Sequence, residues 1–412
     1  MSTFFTSRWV DVPDGLTEVP GGGLPQGFRA AGVACGLKAD GGLDLGLLVS
    51  DPPETVSAAR FTRSGVLAAP VLVTQQRARL DAIRVVAANS GNANAATGNR
   101  GLDEAARMQG AAAMAGRTEP ERVAVCSTGV IGVQLDGRKV VAGLLAASAE
   151  LAGDDAGFAA AIMTTDKFEK RVTLELQLSG GPVRLSAQAK GAGMIQPAFA
   201  TLLCFVQTDA ALEAVTADLL LGVCVKRSFD RISVDGQLST NDTVILQASG
   251  ASGVRVEPES ADELAFGRAL DALLRQLALL IVSDGEGARR VGRVVVRGGD
   301  PKGVERVARA IANSPLVKTA LYGGDPNWGR IAQSIGMALP HSAPLAYDIT
   351  IEGMQVAAGG QALVHDTAEL ARRVAVDEVE YEVALPGDGA ETEVFFSDLG
   401  HGYIAINAEY TT

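Results

Sequence analysis

An α/β fold follows from three observations on this sequence. Short apolar runs of strand length alternate with longer helical patterns along most of the chain, as in 83–88, 101–116, 123–126 and 138–152. The composition is that of a folded protein, 47% hydrophobic and 20% charged, so a large core can be buried. At 412 residues the chain is long enough for two domains or two layered halves.

Taken in order, residues 1–30 are rich in Gly and Pro and read as an opening loop that ends at GFRAAG. Strands are expected at 31–36 and 43–50, and 69–79 reads as a strand running into a polar turn. The strand at 83–88 runs into Asn89-Ser-Gly-Asn-Ala-Asn-Ala-Ala-Thr-Gly98, whose density of Asn, Ser and Gly is turn chemistry. A helix over about 101–116 follows. The strand at 123–126 ends in Ser127-Thr-Gly-Val-Ile-Gly132. A turn from strand into glycine leaves backbone N–H groups pointing outward, which are the donors an oxyanion hole needs; a tight turn with nothing bound fits equally well. Residues 138–152 are Ala/Leu-rich and helical, and 158–163 form the end of another helix leading into Thr164-Thr-Asp-Lys-Phe-Glu-Lys170. Residues 172–178 and 183–189 make a hairpin around Ser179-Gly-Gly-Pro182.

The central stretch runs from Lys190 through Gly-Ala-Gly and a proline to Ala200-Thr201, then into the apolar strand 202–206. Its two glycines are no dinucleotide fingerprint, because Gln196 stands where the third glycine belongs. Thr201 sits where a strand begins, held on one side and open on the other. A threonine hydroxyl is a poor nucleophile until a base takes its proton. A free α-amine, with a pKa of roughly 7.7–8.0, can be that base if the chain is cut between Ala200 and Thr201. On composition alone, the first residue of a core strand is the favoured reading of Thr201.

Beyond it, helices are expected at about 212–226, 258–282, 303–313 and 366–375, and strands at 244–249 and 291–296. The polar stretch Phe229–Thr243 is either a pocket rim or a solvated loop. Glu286 stands between two glycines in Ser283-Asp-Gly-Glu-Gly-Ala288; it reads either as part of a helix-ending turn, favoured on sequence alone, or as an exposed carboxylate within reach of a ligand amine. Lys318 and Arg330 are each candidates for a carboxylate partner or a structural ion pair.

The net charge of −12 argues against a nucleic-acid backbone or an anionic membrane surface as partner. Cys35, Cys126, Cys204 and Cys224 form no CxxC pair and read as free buried thiols of a reducing compartment. The opening MSTFFTSRWVDVPDG lacks the plan of a secretory signal, and no run reaches 18 apolar residues, so a soluble, cytoplasmic protein is expected. His341, His365 and His401 are scattered, and no metal cluster is legible.

The segment KGAGMIQPAFATLLCF resembles the self-cleavage segment of the ornithine acetyltransferase (ArgJ) family. NSGNANAATG, STGVIG, SDGEGA, NSPLVKTA and GGDPNWGR are similar to segments of the same family, so the resemblance spans nearly the whole chain. It implies an ArgJ/DmpA-type αββα sandwich with a smaller α/β lobe in the C-terminal half. It implies two chains from one precursor, 1–200 and 201–412, cut between Ala200 and Thr201 and assembled as a heterotetramer of two α and two β chains. Thr201 is then the nucleophile, with Thr128 (hydroxyl) and Gly129 (N–H) as the oxyanion hole. Thr164, Lys190, Thr201, Glu286, Asn407 and Thr412 hold the substrate. The reaction implied moves acetyl from N2-acetyl-L-ornithine to L-glutamate, with no cofactor; the residues do not decide whether acetyl-CoA is also a donor.

The chain departs from the family pattern at Lys167 and Glu169, where threonine and proline are usual, and at Gln237 and Leu238. A lysine at 167 that faced the pocket would add charge to it. Two other readings stay open: a self-cleaving N-terminal-nucleophile aminopeptidase or amidase, and a paralogue acting on, or only binding, another acyl-amino acid.

Overall fold

The computed structural model describes residues 4–196 and 202–409. The first half runs through β1 (Leu16–Glu18), β2 (Phe28–Val33), β3 (Leu45–Ser50), β4 (Val56–Phe61), α1 (Ala69–Arg77), β5 (Val85–Asn89), α2 (Gly98–Ala115) and β6 (Val123–Ser127). Then come α3 (Gly137–Ala149), α4 (Ala156–Ile162), β7 (Lys170–Leu178) and β8 (Gly181–Lys190). The second half continues with β9 (Leu203–Thr208), α5 (Ala214–Arg227), β10 (Ile232–Ser233), β11 (Thr243–Ala248) and α6 (Ala261–Ser283). Its remainder is β12 (Val291–Arg297), α7 (Pro301–Ala312), α8 (Pro315–Gly323), α9 (Trp328–Ala338), β13 (Asp348–Ile351), β14 (Met354–Ala358), β15 (Gln361–Ala362), α10 (Thr367–Arg373), β16 (Glu378–Ala384), β17 (Glu391–Ser397) and α11 (His401–Glu409).

Two sheets stack face to face. One has the order β1-β7-β8-β9-β11-β4 and the other β2-β3-β5-β6. Phe205 and Ile245 of the first meet Leu48, Val86 and Cys126 of the second in a shared apolar layer. The outer face of the six-stranded sheet packs Val206 and Leu246 against α5 and α6, through Leu221, Leu270 and Leu274. The outer face of the four-stranded sheet packs Leu47, Val85 and Val125 against α1, α2 and α3. This is the helix–sheet–sheet–helix sandwich that the family resemblance implies, within the α/β class the residue pattern predicts. The strands read as near-continuous apolar runs because both faces of each sheet are covered. Helix α4 wedges against β2 so closely that a Cβ on Gly32 would lie 1.8 Å from the Gly157 carbonyl oxygen.

A third sheet, β10-β17-β12-β16-β13-β14-β15, builds the C-terminal lobe with α7 to α10. Its own core is formed by Val294, Val307, Ile311, Ile335 and Val383 among others. Strand β10 enters this sheet from the sandwich side by pairing parallel to β17, Ile232 opposite Phe395.

Several stretches differ from the sequence reading: β1 and the start of β2 fall within 1–30, read as loop, and β4 and α11 were not expected. Residues 69–77 are helix, not strand: Pro70 in the first turn sets a helical φ, and Ala69, Val73 and Thr74 fall on one buried face. Within 313–330 lie all of α8 and the start of α9, neither expected. Ser314 caps α8 by accepting the Val317 N–H, Pro315 opens it, and Gly324 ends it in the left-handed conformation.

Candidate active site

Several chain segments converge on one cavity of about 180 Å³. Thr128 and Gly129 come from the end of β6, Lys190 from the end of β8, and Thr164 and Thr165 from the α4–β7 loop. Glu286 comes from the loop after α6, Asp235 and Gln237 from the turn after β10, and Tyr403 and Asn407 from α11.

The turn after β6 is built first. The Thr128 N–H is taken by the Asn89 carbonyl at 2.9 Å, so Thr128 offers its hydroxyl. Gly129 has φ +129°, and a Cβ there would lie 2.4 Å from the Gly91 carbonyl carbon. Only glycine fits. The asparagine-rich stretch forms the wall behind the turn: Ser127 Oγ donates to Asn89 Oδ1 at 2.6 Å, and Asn89 Nδ2 to the Asn92 carbonyl at 2.9 Å. From the other sheet, Asn241 Nδ2 donates to the carbonyls of Ala93 (2.7 Å) and Ser127 (2.8 Å).

Lys190 is buried, and its Nζ donates to Thr128 Oγ1 at 3.1 Å. Burial pulls its ammonium below the usual lysine range, against the opposing attraction of Asp166. Asp166 ties the site together. Its Oδ1 accepts from Lys170 Nζ (2.7 Å) and the Gly191 N–H (2.7 Å), and its Oδ2 from the Thr164 N–H (3.0 Å). Burial works to raise this carboxyl, but Lys190 and Lys170 outweigh it and hold it down to about 2. Lys170 also meets Asp284 Oδ2 at 2.5 Å, so a wholly buried ion network runs beneath the pocket floor.

Glu286 is not an exposed carboxylate between two glycines; it is 9% exposed. Thr165 Oγ1 donates to its Oε1 at 2.8 Å, and Asn407 Nδ2 to its Oε2 at 2.7 Å. Its own N–H goes to the Ala192 carbonyl at 2.9 Å. A Cβ on Gly193 would lie 2.8 Å from its carboxyl carbon. The glycines admit a close approach of the neighbouring backbone, and α11 covers what they leave open.

Thr128, Gly129, Thr164, Lys190, Glu286 and Asn407 are thus brought together as expected. Ala200, Thr201 and Thr412 lie outside the described residues. The next residue, Leu202, is buried at the start of the strand run, and its N–H donates to Asp242 Oδ1 at 3.0 Å.

Three participants went unrecognised in the sequence. Asp166 lies in the stretch Thr164–Lys170, where the sequence gives it no role, and it is Thr165, not Thr164, that bonds Glu286. Asp235 lines the cavity and accepts the N–H groups of Met194 (2.7 Å), Ile195 (2.9 Å) and Gln237 (3.0 Å), with Tyr403 Oη at 3.4 Å. Burial raises this carboxyl above its ordinary range. The only available signal was the position of these residues inside family-like segments.

Other candidates fall elsewhere. Lys167 does not line the cavity: its Nζ reaches the carbonyls of Gly285 and Ala288 at 3.4 Å each and braces the Glu286 loop from behind. Glu169 pairs with Arg171 at 3.0 Å. Of the departures from the family pattern, Gln237 alone lines the pocket. Arg330 donates to the Leu316 carbonyl (2.6 Å) and Thr319 Oγ1 (3.0 Å), a helix-to-helix strut. Lys318 is buried beneath the lobe, bonded to the carbonyl and hydroxyl oxygens of Ser397, and burial pulls it down to about 7. The Cys204 thiol is wholly buried and pushed far up by that burial, which disqualifies it as a nucleophile. Among the described residues, no group of three or more His, Cys, Asp or Glu side chains is placed to hold a metal ion. No helix among them is long and apolar enough to cross a membrane.

The family model described as "ArgJ family" matches residues 29–412. An arginine biosynthesis bifunctional protein ArgJ from Symbiobacterium thermophilum is 41% identical over 393 residues, covering 94% of this chain and 98% of that protein. A protein of the same name from Parasynechococcus marenigrum is 40% identical, covering 98% of this chain and 97% of its own length. Among solved structures, an ornithine acetyltransferase complexed with ornithine from Mycobacterium tuberculosis is 39% identical, with a TM-score of 0.41, covering 45% of this chain and 99% of that one.

Proposed function

The chain belongs to the ArgJ family, and we propose on that basis that it moves the acetyl group of N2-acetyl-L-ornithine to L-glutamate through an acetyl-threonine at Thr201. The observation that carries the reading is the meeting, in one cavity, of the oxyanion turn Thr128–Gly129 with Lys190, Thr164, Glu286 and Asn407.

The chain first cuts itself. The Thr201 hydroxyl attacks the Ala200 carbonyl, the peptide becomes an ester, and water hydrolyses it to give 1–200 and 201–412. The freed α-amine then serves as base. It takes the Thr201 hydroxyl proton while the oxygen attacks the acetyl carbonyl of acetylornithine. The negative charge that develops on the carbonyl oxygen meets the Thr128 hydroxyl and the Gly129 N–H. Lys190, donating to Thr128 Oγ1, orients that hydroxyl so that its proton is free to face the oxyanion. The tetrahedral intermediate collapses, the proton passes to the leaving nitrogen, and ornithine departs. Glutamate enters, its amine attacks the acetyl-threonine, and N-acetylglutamate leaves.

Thr164, Lys190, Glu286, Asn407 and Thr412 hold the amino-acid portion. The Glu286 carboxylate suits an ammonium group and the Lys190 ammonium a carboxylate. The curated relatives are called bifunctional, which favours acetyl-CoA as a second acetyl donor for this chain. The four cysteines are free thiols, which favours a cytoplasmic setting. Two copies of each cut chain make the assembly.

Purified protein incubated with acetylornithine, with and without glutamate, tests the reaction. Ornithine release that depends on glutamate and yields N-acetylglutamate supports transfer. Release indifferent to glutamate turns the reading to a hydrolase, and preference for a non-ornithine donor turns it to a paralogue whose pocket differs at Gln237.

A further inference from the structure

We propose that Asp242 is a positioning residue that seats the new amino terminus by gripping the first peptide unit beyond it. The inference rests on the reading that the chain is cut before Thr201.

The Leu202 N–H belongs to the amide joining residues 201 and 202. Whatever fixes that amide fixes the residue whose hydroxyl and amine do the chemistry. The Leu202 N–H donates to Asp242 Oδ1 at 3.0 Å, and the Leu202 carbonyl accepts the Thr243 N–H at 3.1 Å. Two consecutive residues of one chain segment thus hold both backbone groups of Leu202. From there β9 and β11 continue as a parallel pair, with Leu203 opposite Thr243.

Asp242 is itself held. It is wholly buried, and its carbonyl accepts the Thr62 N–H at 3.0 Å. The preceding residue, Asn241, bonds the Ser127 carbonyl immediately before the oxyanion turn. The segment 241–243 is therefore a bracket. One end grips the residue after the nucleophile and the other grips the residue before Thr128, which sets the spacing between the attacking and stabilising groups.

A second observation marks Asp242 as more than a strand start. Its Oδ2 is buried and makes no hydrogen bond of full geometry among the described residues, with the Ser239 and Thr62 hydroxyls nearby. Burial pushes this carboxyl well above its ordinary range, opposed by the Leu202 N–H, then by those two hydroxyls and by Lys190. Burying a carboxyl is costly. Keeping a carboxyl here is reasonable if its acceptor has a task that an apolar side chain cannot perform. Because that task is acceptance of an amide N–H, the carboxamide of asparagine performs it as well, whereas a group acting by its proton would not be replaceable in this way.

The test compares wild type, Asp242→Asn, Asp242→Ala and Thr201→Ala by intact mass, circular dichroism, and kcat and KM for acetylornithine. Asp242→Asn is expected to be cut and to keep kcat within about threefold, since the acceptor survives. Asp242→Ala is expected to fold, but to be cut slowly and to lose about 10²-fold in kcat with little change in KM, the cost of a misplaced reacting group. If the alanine variant does not fold, Asp242→Ser, too short to reach the Leu202 N–H, carries the same expectation. An alanine or serine variant with wild-type cleavage and kcat overturns the proposal, as does an asparagine variant as impaired as alanine. The Thr201→Ala protein separates the two levels. If it is uncut and inactive, the underlying reading stands whatever happens at 242. If it is cut and active, the reading itself falls.

Discussion

Replacing Asp166 with asparagine removes one negative charge from the floor of the pocket and leaves the shape almost unchanged. In the wild type this carboxyl is wholly buried, and its oxygens accept from Lys170, Gly191 and Thr164. Its depression from 3.8 to about 2 corresponds to about 2.5 kcal/mol of folding free energy, at about 1.36 kcal/mol per pH unit. The loss stays near that figure, below the ~3–5 kcal/mol of an orphaned buried ion, because Lys170 keeps Asp284 as a partner and Lys190 keeps the attraction of Glu286. The sign follows from the direction of the shift. Stability from a depressed carboxyl is present above its unfolded value and disappears as pH falls toward the folded one. The gap between wild type and Asp166→Asn is therefore about 2.5 kcal/mol at pH 7 and closes between about pH 4 and 2. Urea unfolding followed by circular dichroism at a series of pH values measures it. The asparagine NH2 also faces the Thr164 N–H or the Gly191 N–H, so kcat/KM is expected to fall about 10- to 100-fold as that loop shifts. A gap under about 0.5 kcal/mol at pH 7, or one that persists unchanged on acidification, would refute the reasoning.

Two further outcomes follow from the same geometry. Gly129→Ala places a methyl 2.4 Å from the Gly91 carbonyl carbon at a left-handed φ, so the turn after β6 must move; if it is the oxyanion hole proposed above, steady-state kinetics should show a loss of about 10²–10³ in kcat. Lys318, pulled down to about 7 by burial, binds fewer protons folded than unfolded between about pH 7 and 10, so wild-type stability has a rising component across that window. Lys318→Met should flatten that rise in pH-resolved unfolding, and an unchanged slope would contradict it.

Most individual strands and helices of the sandwich were legible because their signals are local, whereas its layering came from the family resemblance. The β7–β8 hairpin shows strand patterning around a Ser-Gly-Gly-Pro turn, and the strands buried on both faces read as apolar runs. Helix α1 was misread because β-branched Val71, Val73 and Thr74 carry strand propensity, while the Thr74 hydroxyl, donating to the Val125 carbonyl at 3.0 Å, makes a contact that exists only after folding. Helix α8 had a readable start in Ser314-Pro315 and a readable stop in the glycine pair, signals overshadowed by the likeness of that stretch to a family segment. The site residues came from resemblance, motif by motif. What resemblance could not supply was how they are held. Asp166 and Asp235 do their work by gathering backbone N–H groups from distant segments, and no residue spacing encodes that. Glu286 misled for the same reason: its flanking glycines suggested exposure, but Tyr403 and Asn407 on α11, more than a hundred residues away, close over it.

Intact-mass measurement of active wild-type protein beside Thr201→Ala tests the central claim most directly. The account predicts two polypeptides in the wild type, with masses matching residues 1–200 and 201–412, and one uncut, inactive chain in the variant. A fully active wild type that is a single unbroken chain, or an active Thr201→Ala protein, would contradict it.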